Sequence, residues 1–336
     1  MKKKYILGVM LGACALFSSC NDEWKDELYR EMVSLKAPLN AQGVHDIYVR
    51  YHADGSGSFH LPVIVSGSKD NARNINVKIS VDNDTLEDFN QQKYSARRDL
   101  WYRQLPEQFY SFPMGGVCNI PAGKNTMTYD IDFDLRGLDL NEKWVLPLTI
   151  EEDPSYALNV RKGYYKALLN LRLFNEYSGS YASNSVSVYI GDNTSDPATV
   201  ATRELRVLDD KTVFFYAGTW WEEDIDRNKY KVGVRFLEGT KDENGVETGP
   251  LEVFAVDPAN PTDIQPYGNC YYRRSVEQHA TLPHIEKRTT TIYLNYYYTD
   301  VSSDPENPIR YRATGSMGTQ RSFNTLIPDE DQAIQW

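Results

Sequence analysis

The sequence lacks a hydrophobic run long enough to cross a bilayer, which takes about 20 apolar residues. The longest apolar stretch runs from Tyr5 to Phe17 and follows three lysines at residues 2–4. A short apolar segment behind a basic N-terminus is typical of a secretory signal peptide and argues against a transmembrane helix here. We therefore predict that residues 1–19 are a signal peptide.

Basic residues are also few. The chain has 36 Lys and Arg against 47 Asp and Glu, a formal net charge of −11. Residues 1–19 contain three lysines and no acid, so their removal gives −11 − 3 = −14 and leaves no run rich in Lys or Arg. Because an acidic surface repels phosphate backbones, we expect no nucleic-acid partner.

Cysteine is scarce. Two of the four cysteines, Cys14 and Cys20, belong to the N-terminal leader, which leaves Cys118 and Cys270. These two could pair in an oxidising compartment, but their wide separation in sequence places them in different predicted domains. We expect two buried free thiols.

Catalytic signatures are missing. The sequence contains no G-x-S-x-G, no H-E-x-x-H, no phosphate-binding loop and no dinucleotide fingerprint. An alternating string of aspartates, Asp130, Asp132 and Asp134, is similar to the strand motif of chitinase-like glycosidases. That motif ends in Glu, whereas Leu135 and Arg136 follow here. A solvent-facing strand explains the alternation, and a calcium site is the alternative.

The histidines give no stronger signal for a metal. His279 and His284 flank the segment ATLP, with no cysteine or acid cluster beside them. Loop histidines explain this spacing better than a zinc pair does. We therefore predict a protein that is not an enzyme and has no cofactor and no metal site; a glycosidase stays as the third hypothesis.

Helical periodicity is nearly absent as well. Short alternating runs broken by Gly, Pro, Asn and Asp take its place, as in residues 47–51, 59–65 and 75–81. Such spacing is typical of antiparallel sandwiches and barrels, and one helix is expected from Thr85 towards Tyr94. The 317 residues (336 − 19) that follow the signal peptide exceed one ordinary core and indicate two domains.

A polar segment that begins at Asn175 separates the two predicted domains. We expect an all-β chain with an N-terminal Ig-like β-sandwich over residues 35–175. A C-terminal antiparallel β-barrel (lipocalin-like), or a second sandwich, is expected over residues 176–336.

A cysteine stands at the end of the apolar leader. The segment LFSSC, which ends at Cys20, resembles a bacterial lipobox, so we predict that Cys20 is acylated; a signal peptide that merely contains a cysteine is the alternative. Each buried CH₂ of an acyl chain adds about 0.8 kcal/mol, so more than one chain gives stable anchoring. The acids at positions 22, 23, 26 and 27 begin a predicted acidic tether, residues 20–34.

This acidic cluster resembles the export signal of Bacteroidetes-type lipoproteins to the outer face of the outer membrane. A solvated leader that keeps the tether disordered is the alternative. We therefore predict a protein that is lipid-anchored in the outer membrane, contacts the membrane through that anchor alone, and faces the cell exterior.

Two longer segments resemble known families. FPMGGVCNIPAGKNTMTYDIDFDLRGLDLNEKWVLPLTIEE resembles the DUF1735 family, a β-sandwich module of Bacteroidetes surface lipoproteins. TIYLNYYYTD and YRATGSM resemble the β-barrel module DUF4361 that often accompanies it. The resemblance implies an accessory protein for glycan uptake that acts beside an outer-membrane transporter and its lipoprotein lid.

Tyrosine is abundant: 24 tyrosines and six tryptophans stand beside 12 phenylalanines. Their rings can stack on the C–H faces of sugars while carboxylates and Arg bind the hydroxyls. On a regular strand only one of Trp220 and Trp221 faces outward, and Tyr297 points away from both neighbours. The candidate glycan-binding residues are Trp101, Tyr102, Trp220, Trp221, Glu222, Tyr271, Tyr272, Arg273 and Tyr297.

Together these patterns predict a non-catalytic cell-surface protein that binds an oligosaccharide or polysaccharide. The alternative is a structural or adhesive surface lipoprotein that contacts partner proteins and no sugar.

Overall fold

The computed structural model of the protein describes residues 29–328 and residue 332. These residues form 21 strands and one α-helix, so the predicted all-β class is confirmed. None of the helices among them is long and apolar enough to cross a bilayer. The predicted signal peptide, Cys20 and the acids at 22–27 lie outside the described residues, so acylation and surface display stay predictions.

Ten strands of the N-terminal half form two sheets. They are β1 Met32–Leu35, β2 His45–Arg50, β3 Ser56–Ser66, β4 Ile75–Val81, β5 Arg103–Gln104, β6 Tyr110–Ser111, β7 Val117–Ile120, β8 Thr126–Asp134, β9 Trp144–Ile150 and β10 Lys166–Phe174. One sheet has the order β1-β3-β8-β6 and the other β2-β10-β9-β4-β7, with β5 beside β9. A single hydrophobic cluster lies between the sheets and makes them a β-sandwich, as predicted.

Alternation along β8 shows how the sequence fixes the sandwich core. Ile131 and Phe133 are buried, whereas Asp130, Asp132 and Asp134 lie on the solvent side. Asp130 accepts a hydrogen bond from the His60 ring. The described part of the chain contains no cluster of His, Cys, Asp and Glu that could hold a metal ion. The aspartate string is therefore the polar face of an amphipathic strand.

The helix α1, Asn83–Tyr94, lies where the sequence predicts it. Asp82 caps its N-terminus because the Asp82 carboxylate accepts hydrogen bonds from the backbone N–H and the hydroxyl of Thr85. Lys166 of β10 forms an ion pair with the same carboxylate. The cap thus fixes both the start of the helix and its position beside the sheet.

The ordered sandwich begins earlier than the predicted tether allows. The tether was expected to extend to residue 34, but β1 pairs with β3 from Met32 onward. Val33 and Leu35 of β1 are buried in the sandwich core. Their alternation with polar neighbours is a strand signal that the acidic residues before them obscured.

Eleven strands of the C-terminal half belong to one sheet. They are β11 Gly179–Ile190, β12 Ala198–Thr199, β13 Thr202–Val207, β14 Thr212–Tyr216, β15 Lys231–Phe236, β16 Thr240–Lys241, β17 Glu247–Ala255, β18 Gln265–Pro266, β19 Tyr271–Gln278, β20 Ile285–Asp300 and β21 Ile309–Asn324. Eight of them pair in the ring β11-β13-β14-β15-β17-β19-β20-β21, and β21 returns to β11. The ring is a closed antiparallel barrel, one of the two predicted forms.

A glycine allows the ring to close. Gly315 of β21 has φ +140° and lies beside a register shift in β11. A Cβ at this position would collide with the backbone carbonyl of Ser185. The inward side chains, among them Phe215, Val234 and Tyr296, fill the barrel with a second hydrophobic cluster.

The sandwich and the barrel meet at Asn175. Its side-chain carbonyl accepts hydrogen bonds from the backbone N–H groups of Tyr177 and Ser178, and its side-chain amide donates to the carbonyl of Asp209. This turn directs the chain from β10 into β11. Both cysteines of the described chain are free thiols, with Cys118 buried and Cys270 half-buried.

Candidate functional site

The tyrosine run of β20 divides between the two faces of the barrel wall. Tyr296 and Tyr298 point into the core and are 1% and 2% exposed, respectively. Tyr293, Asn295 and Tyr297 alternate with them and are half-buried on the outer face. The prediction that Tyr297 points away from both neighbours is therefore confirmed, and the structure places it on the outer face.

Neighbouring segments add two further rings to the outer face. Tyr271 lies opposite Tyr293 in the β19–β20 register, and their rings stack with centroids 4.3 Å apart. The ring of Tyr267, just after β18, lies 4.5 Å from that of Tyr297. Tyr293 and Tyr297 are four residues apart, about 13 Å along an extended strand.

Short polar side chains lie between these two aromatic pairs. Asn295 of β20 is opposite Thr314 of β21, which in turn is opposite Ser187 of β11. The Thr314 hydroxyl donates to the Asn295 side-chain carbonyl over 2.5 Å, and the Asn295 amide donates to the backbone carbonyl of Asn269. We call the four tyrosines and this floor the tyrosine groove; it comprises Tyr267, Tyr271, Tyr293, Tyr297, Asn295, Thr314 and Ser187.

One face of the Tyr293 ring has no large side chain opposite it in the strand register. The other face packs against Tyr271, but across β20–β21 the residue opposite Tyr293 is Ser316, whose side chain is too short to cover the ring. Aromatic surface beside fixed amide and hydroxyl groups suits a ligand that has both apolar C–H faces and hydroxyls.

The tyrosine groove lies on the side of the barrel that faces away from the sandwich. In the eight-strand ring, β20 is four strands from β14 in either direction. The sandwich packs near β13–β15, where Lys231 of β15 approaches Asn141 and Glu204 of β13 binds Arg172 of β10. The groove therefore lies on the strands of the barrel that are furthest in the ring from this contact with the sandwich.

Not every predicted candidate belongs to this surface. Tyr271 and Tyr297 do, and the exposed Arg273 follows Tyr271 on the same face of β19. Tyr272 does not, because it is 1% exposed and its hydroxyl donates to the carbonyl of Leu237 and to Glu247. Its predicted role in glycan contact is corrected to a core role, since the strand alternation turns its ring inward.

The two adjacent tryptophans also differ in their exposure. Trp220 stacks on the buried Tyr230 at a centroid distance of 3.8 Å and packs against the barrel core. Trp221 is 51% exposed, and its backbone N–H donates to the Asp224 carboxylate. The expectation of one outward ring applied to a regular strand, whereas the two residues lie in a turn after β14, in which Trp221 is the exposed one.

Glu222 forms ion pairs that join the two halves of the molecule. Its carboxylate binds Lys143 of the sandwich over 2.9 Å and Arg206 of the barrel over 2.5 Å. Arg206 also binds Glu204, which binds Arg172 of the sandwich over 3.3 Å. We call these five side chains the interface charge chain. Glu222 is thus committed to the domain interface rather than to a ligand.

The segment around Trp101 meets the same interface. Arg227 of the barrel donates to the Asp99 carboxylate, and Arg97 donates to the backbone carbonyl of Glu223. Trp101 is half-buried and donates to the carbonyl of Ser95. Tyr102, in contrast, is buried against α1 and is not available to a surface ligand, contrary to the expectation.

A polar cleft of about 380 Å³ accompanies the charge chain between sandwich and barrel. Burial raises the pKa of Glu204 and Glu222, but Arg206 together with Arg172 at Glu204 and with Lys143 at Glu222 outweighs burial, so the pKa of each carboxyl lies below its ordinary value. A glycosidase needs a carboxylic acid whose pKa is raised. Neither of these two carboxyl groups is suited to act as that acid.

Comparison with known proteins gives two family matches. The model for a domain of unknown function, DUF4973, matches residues 24–154, and a second model, described as a C-terminal domain, matches residues 165–318. No curated protein matches the sequence.

Several solved structures are similar over almost the whole chain. A multidomain protein including DUF1735 from Bacteroides ovatus is 39% identical, with 90% of this chain and 99% of that chain covered and a TM-score of 0.75. A second B. ovatus protein, of unknown function, is 40% identical, with 91% and 100% covered and a TM-score of 0.76. The chain belongs to this Bacteroides family.

A third similar structure has a functional description. It is an auxiliary nutrient binding protein from Bacteroides thetaiotaomicron, 31% identical, with 88% of this chain and 97% of that chain covered and a TM-score of 0.75. The expected relation to Bacteroidetes accessory proteins is therefore confirmed at the level of the family. The N-terminal model that matches is DUF4973, while DUF1735 is in the name of a relative.

Sequence reasoning missed part of the tyrosine groove in this family member. Tyr293 and Asn295 share the parity of Tyr297, so the period of two along β20 was a signal that could have found them. Tyr267, Thr314 and Ser187 enter the groove only through strand pairing. No local sequence pattern predicts that these three residues lie close together.

Proposed function

We propose that the protein is a non-catalytic accessory protein that binds carbohydrate in the tyrosine groove. The observation that carries this proposal is the partly exposed Tyr293 ring, with only Ser316 opposite its free face, beside the Asn295–Thr314–Ser187 floor. A pyranose ring has apolar C–H faces that stack on an aromatic ring, and hydroxyls that exchange hydrogen bonds with amides and hydroxyls. The groove supplies both kinds of group within one surface.

The family membership supports an accessory role in nutrient capture. A relative that covers nearly the whole chain is described as an auxiliary nutrient binding protein. We extend that role to this chain and infer that the nutrient is a glycan. We also propose that the two halves are DUF1735-like and DUF4361-like modules. The proposed partners are an outer-membrane transporter and its lipoprotein lid.

The proposed mechanism is capture without chemistry. The stacked Tyr271–Tyr293 pair is held in place by the β19–β20 ladder, so little side-chain freedom is lost when a sugar binds. Acyl chains on Cys20 would hold the protein at the outer membrane, and bound glycan would stay near the transporter.

The binding test uses the soluble chain from Asn21 and a panel of plant, animal and microbial polysaccharides. Tyr293→Ala should weaken binding of the recognised polysaccharide at least tenfold, about 1.4 kcal/mol, and lower the melting temperature only slightly, because it removes the cross-strand stack with Tyr271 but leaves no core cavity. Ser316→Trp should weaken binding similarly, because the larger side chain would cover the free face of Tyr293.

A matched control is Tyr164→Ala, which removes an exposed tyrosine of the sandwich. It should leave affinity unchanged. If both groove variants bind a polysaccharide as tightly as the wild type does, the tyrosine groove is not the binding site. Binding of no member of the panel would contradict the proposed function itself.

The anchor has a separate test. Cys20→Ala should release the protein from membranes and stop incorporation of labelled fatty acid, because acylation needs the thiol. Surface display should appear as protease accessibility in intact cells, which is lost when the acids at 22, 23, 26 and 27 become alanine. Fatty acid that fails to label the wild-type protein would contradict the anchor.

A further inference from the structure

Three arginines border the tyrosine groove. The strand register places Arg312 opposite Tyr297, Arg310 opposite Thr299 and Arg273 opposite Thr291, all on the outer face of the barrel. The Arg310 guanidinium lies 4.4 Å from the Tyr297 ring centroid, and that of Arg312 lies 4.8 Å from the Tyr189 ring centroid. Cation–π contacts therefore hold two positive charges at one end of the groove.

These arginines have no carboxylate partner among the described residues. The ion pairs of the described chain include Arg172, Arg206 and Arg227 at the domain interface, but none of the three groove arginines. From Thr291 to Thr299 and across the strands paired with this segment, no outward-facing position carries Asp or Glu. The paired strands around the groove thus present three arginines and no acid on their outer face, on a chain whose formal net charge is −11.

Two buried polar atoms at this end of the groove also lack a hydrogen-bond partner. They are the Arg312 Nε and the Tyr267 hydroxyl. Arg312 uses one terminal nitrogen to donate to the carbonyl of Asn193 over 3.1 Å, which fixes the side chain and leaves Nε unpaired. Among the ion pairs of the described residues, none joins Arg312 to the acids of the adjacent turn, Asp192 and Asp196. The Nε itself is buried, so an anion would meet the terminal nitrogens of Arg312 and of the exposed Arg310, which no carboxylate of the described chain neutralises.

We propose that the tyrosine groove recognises an acidic saccharide, with the sugar ring on Tyr293 and its carboxylate or sulfate at Arg310 and Arg312. This inference rests on the proposed carbohydrate-binding function and names the ligand class. The roughly 13 Å between Tyr293 and Tyr297 exceeds one pyranose ring, so the ligand is an oligosaccharide. Charge-assisted hydrogen bonds to guanidinium give the selectivity for the anion.

The experiment compares charged polysaccharides with their neutralised forms, using the soluble chain from Asn21. The probes are polygalacturonate and its methyl ester, alginate and its carboxyl-reduced form, and chondroitin sulfate with its desulfated and carboxyl-reduced forms. Starch, inulin and xylan represent neutral glycans. The protein should bind at least one acidic probe at least tenfold more tightly than its neutralised form, and added salt should weaken that binding. The chondroitin sulfate derivatives distinguish sulfate from carboxylate.

The variant Arg310→Gln/Arg312→Gln should remove the tenfold preference without lowering the melting temperature. Arg310→Lys/Arg312→Lys keeps the charges and should restore part of the preference. Arg161→Gln, which removes an exposed sandwich arginine, is the matched control and should bind as the wild type does.

The outcomes separate the two proposals. If the protein binds a neutral glycan, or binds charged and neutralised forms equally, the acidic-ligand inference is wrong and the carbohydrate-binding function stands. The inference is also wrong if the double Gln variant keeps the full preference. If no probe binds, both proposals fail.

Discussion

At the scale of single residues, Lys231 is the clearest case of a charged side chain whose burial destabilises the fold. It begins β15 and is buried where the barrel meets the sandwich. Its ammonium lies 3.4 Å from the Asn141 side-chain carbonyl and 4.9 Å from the Phe214 ring centroid. Burial, with the nearby Arg206 charge, lowers the pKa of Lys231 to about 8.

Replacement of Lys231 by methionine should therefore stabilise the protein at pH 7, by about 1–3 kcal/mol, because it removes a buried and weakly partnered charge. The folded pKa of Lys231 lies below the unfolded value of about 10.4, so the unfolded chain binds more protons between these values. The stability of the wild type therefore rises as the pH increases from about 8 to 10. The advantage of Lys231→Met should shrink over that range.

Chemical denaturation at pH 7 and pH 10 measures this difference. Lys241→Met, at an exposed position, serves as the control and should change stability little at either pH. A Lys231→Met protein less stable than the wild type at pH 7 would show that the Asn141 contact outweighs the cost of burial.

At the scale of elements, closure of the barrel depends on Gly315. Its φ of +140° is in the region that favours glycine, and a Cβ would collide with the Ser185 carbonyl across the β11–β21 pair. Gly315→Ala should lower the free energy of unfolding by about 1–3 kcal/mol. Gly318→Ala in the same strand meets neighbours only at 3.5 Å and is the control. Equal thermal melting of the two variants would contradict this role.

The interface charge chain predicts acid sensitivity at the same scale. Burial alone would raise the pKa of Glu222, but Arg206 and Lys143 lower it below its ordinary value. A carboxyl whose folded pKa is depressed adds stability above its unfolded pKa, about 4.3, and loses it as the pH falls further. The free energy of unfolding should therefore decline below about pH 4.3, and part of that decline should come from Glu222.

Glu222→Gln should flatten that decline. It should also lower the free energy of unfolding by about 1–3 kcal/mol at pH 7, because the buried Arg206 then keeps only Glu204 as a charged partner. Glu223→Gln removes an exposed neighbouring charge and is the matched control. Denaturation at pH 3.5, 5 and 7 would contradict the assignment if the two variants showed the same pH dependence.

At the scale of the whole molecule, the sandwich and the barrel have separate hydrophobic cores. The buried Tyr177 stacks on Phe236 of the barrel at 3.8 Å, and the Asn175 side chain holds the turn before it. We therefore predict that residues 175–336 fold alone into a cooperative, strand-rich unit, since about 160 residues can bury an adequate core.

Far-UV circular dichroism with thermal melting tests this fragment. A fragment of residues 180–336 lacks Tyr177 and Asn175 and should melt at a lower temperature. A non-cooperative melt of residues 175–336 would show that the barrel needs the sandwich, with the interface charge chain as the reason.

Local chemistry in the sequence determined much of the architecture. The all-β class, the helix from Asn83 and the outward position of Tyr297 all follow from patterns within a few residues, because strand alternation and helix capping are local effects. Opposite orientations of Trp220 and Trp221 were expected for a regular strand, although the two residues lie in a turn. The inward turn of Tyr272 was not, because adjacent positions on β19 look alike in composition.

Only the tertiary structure decided which distant residues meet. Pro121–Gly123 joins β7 and β8, yet β7 pairs with β4 and β8 with β3, so the turn passes between the two sheets. Likewise Ser187 of β11 reaches Thr314 of β21, and Glu222 reaches Lys143 of the sandwich, through pairings between distant segments. Register and domain packing depend on the burial of whole faces, which no short stretch of sequence contains.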